Sequence, residues 1–147
     1  MQTRVLILFL LVSVFHSACF NRSDNGEPWT DEQLMDPVSL SEILNDQDAQ
    51  LPFIYSIGPS GLIKNSMDIG EGKSLENIEK LGKELGQLSK DADIIIYCGC
   101  CPFKDCPNIR PAFDLLNEME FTNHKLLNLP QNLKVDWIDK GYPMNEQ

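Results

Sequence analysis

The chain has 147 residues, with 22 acidic side chains against 12 basic ones and a formal charge of -10. That length suits one compact domain, and the acidic balance with no Lys/Arg cluster excludes a nucleic-acid binder, because phosphate contacts need clustered positive charge. Hydrophobic residues make up 42%, enough for a core, which excludes disorder along the whole chain.

Met1 to Arg4 is a short positive segment, and Val5 to Phe15 is an apolar run interrupted only by Ser13. A spanning helix needs about 20 apolar residues, roughly twice this run. The pattern is that of a secretory signal peptide over residues 1–18. Ser17 and Ala18 lead directly into Cys19, an arrangement that resembles a bacterial lipoprotein signal, with His16 where such signals usually carry Leu. The resemblance implies export to the periplasm or cell envelope, with a lipid on Cys19 as the chain's only contact with a membrane. Ordinary cleavage nearby would leave Cys19 a spare thiol. Residues 19–28, rich in Asn, Ser, Asp, Gly and Pro, read as a tether, and residues 29–147 as the domain.

Within the domain, Thr30 to Gln33 fits a capping box, with Trp29 and Leu34 as its staple. Ser39 to Glu42 fits a second one, opening a short helix that ends near Asn45. Leu51 to Ile57 is the first expected strand, with Pro52 near its start, where a missing N–H matters least. After the turn Gly58-Pro59-Ser60-Gly61, Ser74 is placed to cap a helix whose apolar residues Leu75, Ile78, Leu81, Leu85 and Leu88 recur at helical spacing. Ile94-Ile95-Ile96-Tyr97 is apolar without alternation, the pattern of a strand covered on both faces. Pro111 suits the first turn of a further helix carrying Ala112, Phe113, Leu116 and Met119 on one side. Lys125 to Leu129 is a short strand, and Leu133 to Lys140 a last helix that stops at Gly141. Strands separated by helices predict an α/β fold, a mainly parallel sheet with helices on both faces.

Four of the five cysteines fall between Cys98 and Cys106. In open α/β sheets ligands sit at the carboxyl ends of the strands, where Cys98 is expected. A thiol facing free backbone N–H groups at a helix start is favoured as thiolate, with a lowered pKa. Arg110 adds a permanent positive charge able to grip an anion. The chemistry suggested is a nucleophilic thiolate attacking an anionic, sulfur-bearing donor.

Three segments carry a family resemblance. Tyr97-Cys98 at a strand end, the Arg-led helix Arg110-Pro111-Ala112-Phe113-Asp114-Leu115-Leu116 and the closing Trp137-Ile138-Asp139-Lys140-Gly141-Tyr142-Pro143 resemble a rhodanese-like domain, in order and spacing, from roughly Trp29 to Pro143. The resemblance implies a rhodanese-like sulfurtransferase or thiol-redox protein without cofactor or metal. Cys98 would then carry a sulfane sulfur as a persulfide, between a small sulfur-bearing anion and a thiol acceptor. Carried over, the loop of Gly99, Cys100 and Cys101, together with Arg110, binds the donor, and Cys100, Cys101 and Cys106 are candidate resolving thiols.

The sequence departs from the family pattern in its loop. Arg110 lies twelve residues after Cys98, where the family's Arg is five after its Cys, and Pro102 and Pro107 remove two backbone donors. Ser56-Ile57-Gly58 stands where the family tends to carry Asp-x-Arg. Two other readings of the four thiols remain: a non-catalytic module that binds a soft metal such as zinc or copper(I), and a loop stapled by disulfides. A phosphatase-type loop is set aside, because neither Cys98 nor Cys106 has the short fixed step to Arg110 that wraps one oxyanion. His124 reads as a surface or edge residue, Trp29 and Trp137 as fillers of the core's edges, and Lys104 as a solvated loop charge.

Overall fold

A computed structural model describes residues 26–146. The expected signal peptide, Cys19 and most of the tether lie outside the described residues. Five strands, β1 (Leu34–Met35), β2 (Phe53–Ser56), β3 (Ser66–Asp68), β4 (Ile94–Tyr97) and β5 (His124–Leu127), form one sheet in the order β1-β5-β4-β2-β3. Every neighbouring pair is parallel. The isoleucine-rich β4 takes the central place, with all four of its residues buried. A strand there is packed on both sides, so the uninterrupted apolar run is what the position requires.

Helices cover both faces, as the α/β reading expected. On one side Tyr55, Ile57, Ile94, Ile96 and Leu126 pack against Leu81 and Leu85 of α2 (Leu75–Leu85) and Ile109, Ala112, Phe113 and Leu116 of α3 (Ile109–Glu118). On the other side Ile54, Ile95, Tyr97 and Leu127 meet Leu40 and Leu44 of α1 (Pro37–Asn45), Leu133 of α4 (Leu133–Asp136) and Trp137. The two-residue alternation along β4 divides the core into these halves. Among the described residues no helix is long and apolar enough to cross a membrane.

Several element boundaries differ from expectation for local reasons. Thr30 opens only a single 3-10 turn, Asp31–Gln33, because the chain at once enters β1. The capping box is present, with Thr30 N–H donating to Gln33 Oε1 at 3.0 Å. The second helix starts three residues earlier than the Ser39 box suggests. Asp36 is its N-cap, accepting from Ser39 N–H at 3.0 Å, and Pro37 fills the first turn, where its missing N–H is harmless. The last helix breaks after Asp136 and resumes as a 3-10 turn, Ile138–Lys140. At the break Trp137 leaves helical geometry and is fully buried, its indole N–H donating to Pro143 O at 3.1 Å and its ring meeting Tyr142 edge-on at 5.2 Å. Gly141, at φ 74°, then closes that turn in the left-handed conformation.

Candidate functional site

Because all strands run the same way, the loops after β2, β3 and β4 collect at one edge of the sheet. Cys98 follows β4 there, 1% exposed, on the side covered by α2 and α3. The backbone leaving β2 lies directly against it: a Cβ on Gly58 would overlap the Cys98 sulfur and come within 3.2 Å of its Cα. Gly99 then turns the chain at φ +54°, a conformation glycine accepts without strain. That turn folds Cys100 back, so that the Cys98 and Cys100 sulfurs are 3.2 Å apart, with Cys101 Sγ 3.4 Å beyond. After the 3-10 turn Phe103–Asp105 the chain returns, and the buried Cys106 closes the group. The sulfurs of Cys98, Cys100 and Cys106 all lie within 4.8 Å of one another. All four thiols are free. The trio offers three soft ligand atoms, the one such group among the described residues able to hold a metal ion.

Asn108 completes the surround of Cys98. It occupies the N-cap position of α3, yet its side chain makes no cap hydrogen bond. Its Oδ1 instead accepts from Lys73 N–H at 3.1 Å, which leaves Nδ2 to donate to Cys98 Sγ at 3.3 Å. A backbone N–H can only donate, so the orientation of the amide is settled. Gly72 makes this possible, since a Cβ there would overlap the Asn108 carbonyl. Around Cys98 the Cys106 thiol, the Cys100 N–H, the Asn108 amide and the Cys100 thiol all donate, outweighing burial and bringing its pKa down to about 5. Its neighbours move the other way. Burial and the adjoining sulfurs of Cys98 and Cys101 push Cys100 up to about 12, and Cys106, whose proton is held by the Cys98 sulfur, is raised as well. These opposite shifts favour a thiolate at Cys98 beside protonated Cys100 and Cys106. Lys73, paired with Glu71, is held charged first by that ion pair and then by the field of Cys100 and Cys98.

Arg110 sits elsewhere. Its guanidinium donates to Glu27 Oε2 at 2.6 Å and to Lys104 O at 3.0 Å and lies 5.4 Å over the Trp29 ring. It therefore fastens the end of the expected tether to α3, an attachment that Asn117 extends by donating to Pro28 O at 3.0 Å. Lys104 is exposed, its ammonium 5.8 Å over the Phe103 ring. His124 is not at the surface as expected. It is 4% exposed, its Nδ1–H donating to Phe121 O at 3.0 Å and its Nε2 accepting from Gln33 Nε2 at 3.1 Å. Burial lowers its pKa, and it serves the core. Of the expected site residues, the fold brings Cys98, Gly99, Cys100, Cys101 and Cys106 together and directs the Arg110 side chain to the tether. Gly58, Gly72, Lys73 and Asn108 join the site without any local sequence signal. No protein-family model matches the chain, and no curated protein matches it.

Proposed function

We propose that this protein is a rhodanese-like sulfurtransferase that moves a sulfane sulfur through a persulfide on Cys98. The observation that carries the reading is the Cys98 sulfur at the carboxyl end of the central strand, ringed by the Asn108 amide, the Cys106 thiol and the Cys100 N–H. These donors hold a thiolate in place, and the thiolate is the nucleophilic form of cysteine. In the first half-reaction the Cys98 sulfur attacks the outer sulfur of a thiosulfate-type anion. A new S–S bond forms, the old one breaks, and sulfite leaves with the bonding pair. In the second, a thiol acceptor takes the outer sulfur and Cys98 departs as thiolate. With Arg110 engaged by Glu27, Lys73, itself paired with Glu71, feels the field of Cys100 and Cys98 and would help to draw in an anionic donor. Export and a lipid on Cys19 would place this chemistry at a membrane surface in the cell envelope.

The test is intact mass of the purified chain before and after thiosulfate. The reading predicts a gain of roughly 32 Da that cyanide removes, mapped to Cys98, abolished by Cys98→Ser and reduced at most partly by Cys101→Ser. An undiminished gain in the Cys98→Ser chain would sink the assignment.

A further inference from the structure

Cys98 and Cys100 differ in one respect that matters for turnover. Their sulfurs are 3.2 Å apart, yet Cys98 is 1% exposed while Cys100 is open to solvent. A disulfide between them needs the sulfurs to close to about 2.05 Å, a movement of little more than one ångström. Gly99 holds the turn that presents the pair, packed against Ser60 and Leu133. Cys100 is therefore the more accessible sulfur of the pair to an outside thiol.

We propose that Cys98 and Cys100 form a transient disulfide that expels the sulfane sulfur as hydrosulfide, and that the partner resetting the site is a dithiol reductant entering at Cys100. The inference rests on the persulfide reading of Cys98. Its steps balance as follows. The outer sulfur of the Cys98 persulfide anion takes the Cys100 proton, and the resulting Cys100 thiolate attacks the inner Cys98 sulfur. The Cys98–Cys100 bond forms, the sulfane S–S bond breaks, and HS⁻ leaves. A thiolate of the dithiol partner then attacks the exposed Cys100 sulfur. Cys98 departs as the thiolate that Asn108 Nδ2, the Cys106 thiol and the Cys100 N–H already stabilise. The partner's second thiol attacks its own sulfur in the mixed disulfide, freeing Cys100 and leaving the partner oxidised by two electrons. Exchange favours this polarity, because the more accessible sulfur is attacked and the more acidic thiol leaves faster. In sum, one sulfane sulfur is reduced to sulfide and one dithiol is oxidised to a disulfide.

The experiment is a single turnover of the full chain with thiosulfate and no reductant, reading sulfide released and intact mass, in wild type and in Cys100→Ser. Cys100 is exposed, so its replacement leaves the core untouched. The expected result in wild type is a transient gain of roughly 32 Da that decays, with release of about one equivalent of sulfide, to a loss of roughly 2 Da and a Cys98–Cys100 bond found by peptide mapping. The Cys100→Ser chain should stop at a gain of roughly 32 Da, its sulfide release slower by at least about tenfold. A reduced dithiol peptide should then restore the wild-type mass and become oxidised. Wild type resting at the higher mass without releasing sulfide overturns the inference and leaves the persulfide reading standing. A bond mapped to Cys98 and Cys106 overturns the assignment to Cys100. No uptake of sulfur in either chain overturns both.

Discussion

At Cys98 four donors converge on one sulfur, and Asn108 is the one whose removal tests the arrangement. A hydrogen bond to a charged group contributes about 1.5–3 kcal/mol, and one pH unit corresponds to about 1.36 kcal/mol. Asn108→Ala should therefore raise the Cys98 midpoint by about one pH unit or more, read from thiolate absorbance as the difference from Cys98→Ser. A midpoint unmoved would show that Cys106 and the Cys100 N–H suffice. Gly58 makes the complementary test by shape. Gly58→Ala places a methyl group against the Cys98 sulfur and Cα, and overpacking of this kind costs about 1–3 kcal/mol. The expected outcome is a lower urea midpoint together with loss of the thiosulfate-dependent mass gain; a variant as stable and reactive as wild type would contradict the close approach.

The elements that frame the site are held by packing more than by their own propensity. α2 carries Gly82 in its interior, where glycine is less favourable than Ala by about 0.8–1.0 kcal/mol. A Cβ at Gly82 would meet only the Leu115 side chain of α3, at 3.8 Å, an ordinary contact. Gly82→Ala should thus stabilise the protein by about 0.5–1 kcal/mol, measured as a raised urea midpoint with an unchanged slope. A lowered midpoint would mean that α2 and α3 approach more closely than this. α3 has a second duty at its start. Arg110 joins Glu27, the Lys104 carbonyl and the Trp29 ring, so Arg110→Ala should free the segment around Glu27. The contribution is about 1 kcal/mol for such a partly exposed cation. It should be read as a melting temperature lower by a few degrees and faster proteolysis before Trp29.

At the scale of the molecule, His124 and the thiol cluster contribute to how stability depends on pH. His124 is held neutral with its pKa below 6.5, so the unfolded chain takes up the proton first, and stability is lost as pH falls through that value. Cys98 acts in the same direction over a wider window. Its thiol ionises at about 5 in the fold against 9.0 for an ordinary thiol, so between these values the folded state binds fewer protons and stability rises with pH. Above that window Cys100 and Cys106, held protonated, reverse the slope. Urea midpoints from about pH 5 to about pH 9 should therefore climb in wild type, and the climb should flatten in Cys98→Ser. Equal slopes in the two chains would show that Cys98 is not ionised in the fold.

Much of this architecture is legible in the sequence, because its signals are local and physical. The isoleucine run of β4, the helical spacing from Leu75 to Leu85 and the alternation of strand with helix were enough to predict a parallel α/β sheet covered on both faces. Cysteine spacing marked the loop at the strand's end as the candidate site, and the fold clusters its thiols. The short edge strands β1 and β3 escaped, since two or three residues carry no period, and only pairing with β5 and β2 makes them strands. His124 looked solitary because its partners, Gln33 and Phe121, are chosen by how the strands assemble. The same holds for the site. A sequence names the thiols, but how readily one ionises depends on which donors face it, and for Cys98 those are Cys106, Cys100 and Asn108, whose amide the loop after β3 orients. Electrostatics and hydrogen bonds act through space over a few ångströms, so the donors that surround Cys98 and the diversion of Arg110 to Glu27 were decided by tertiary structure alone.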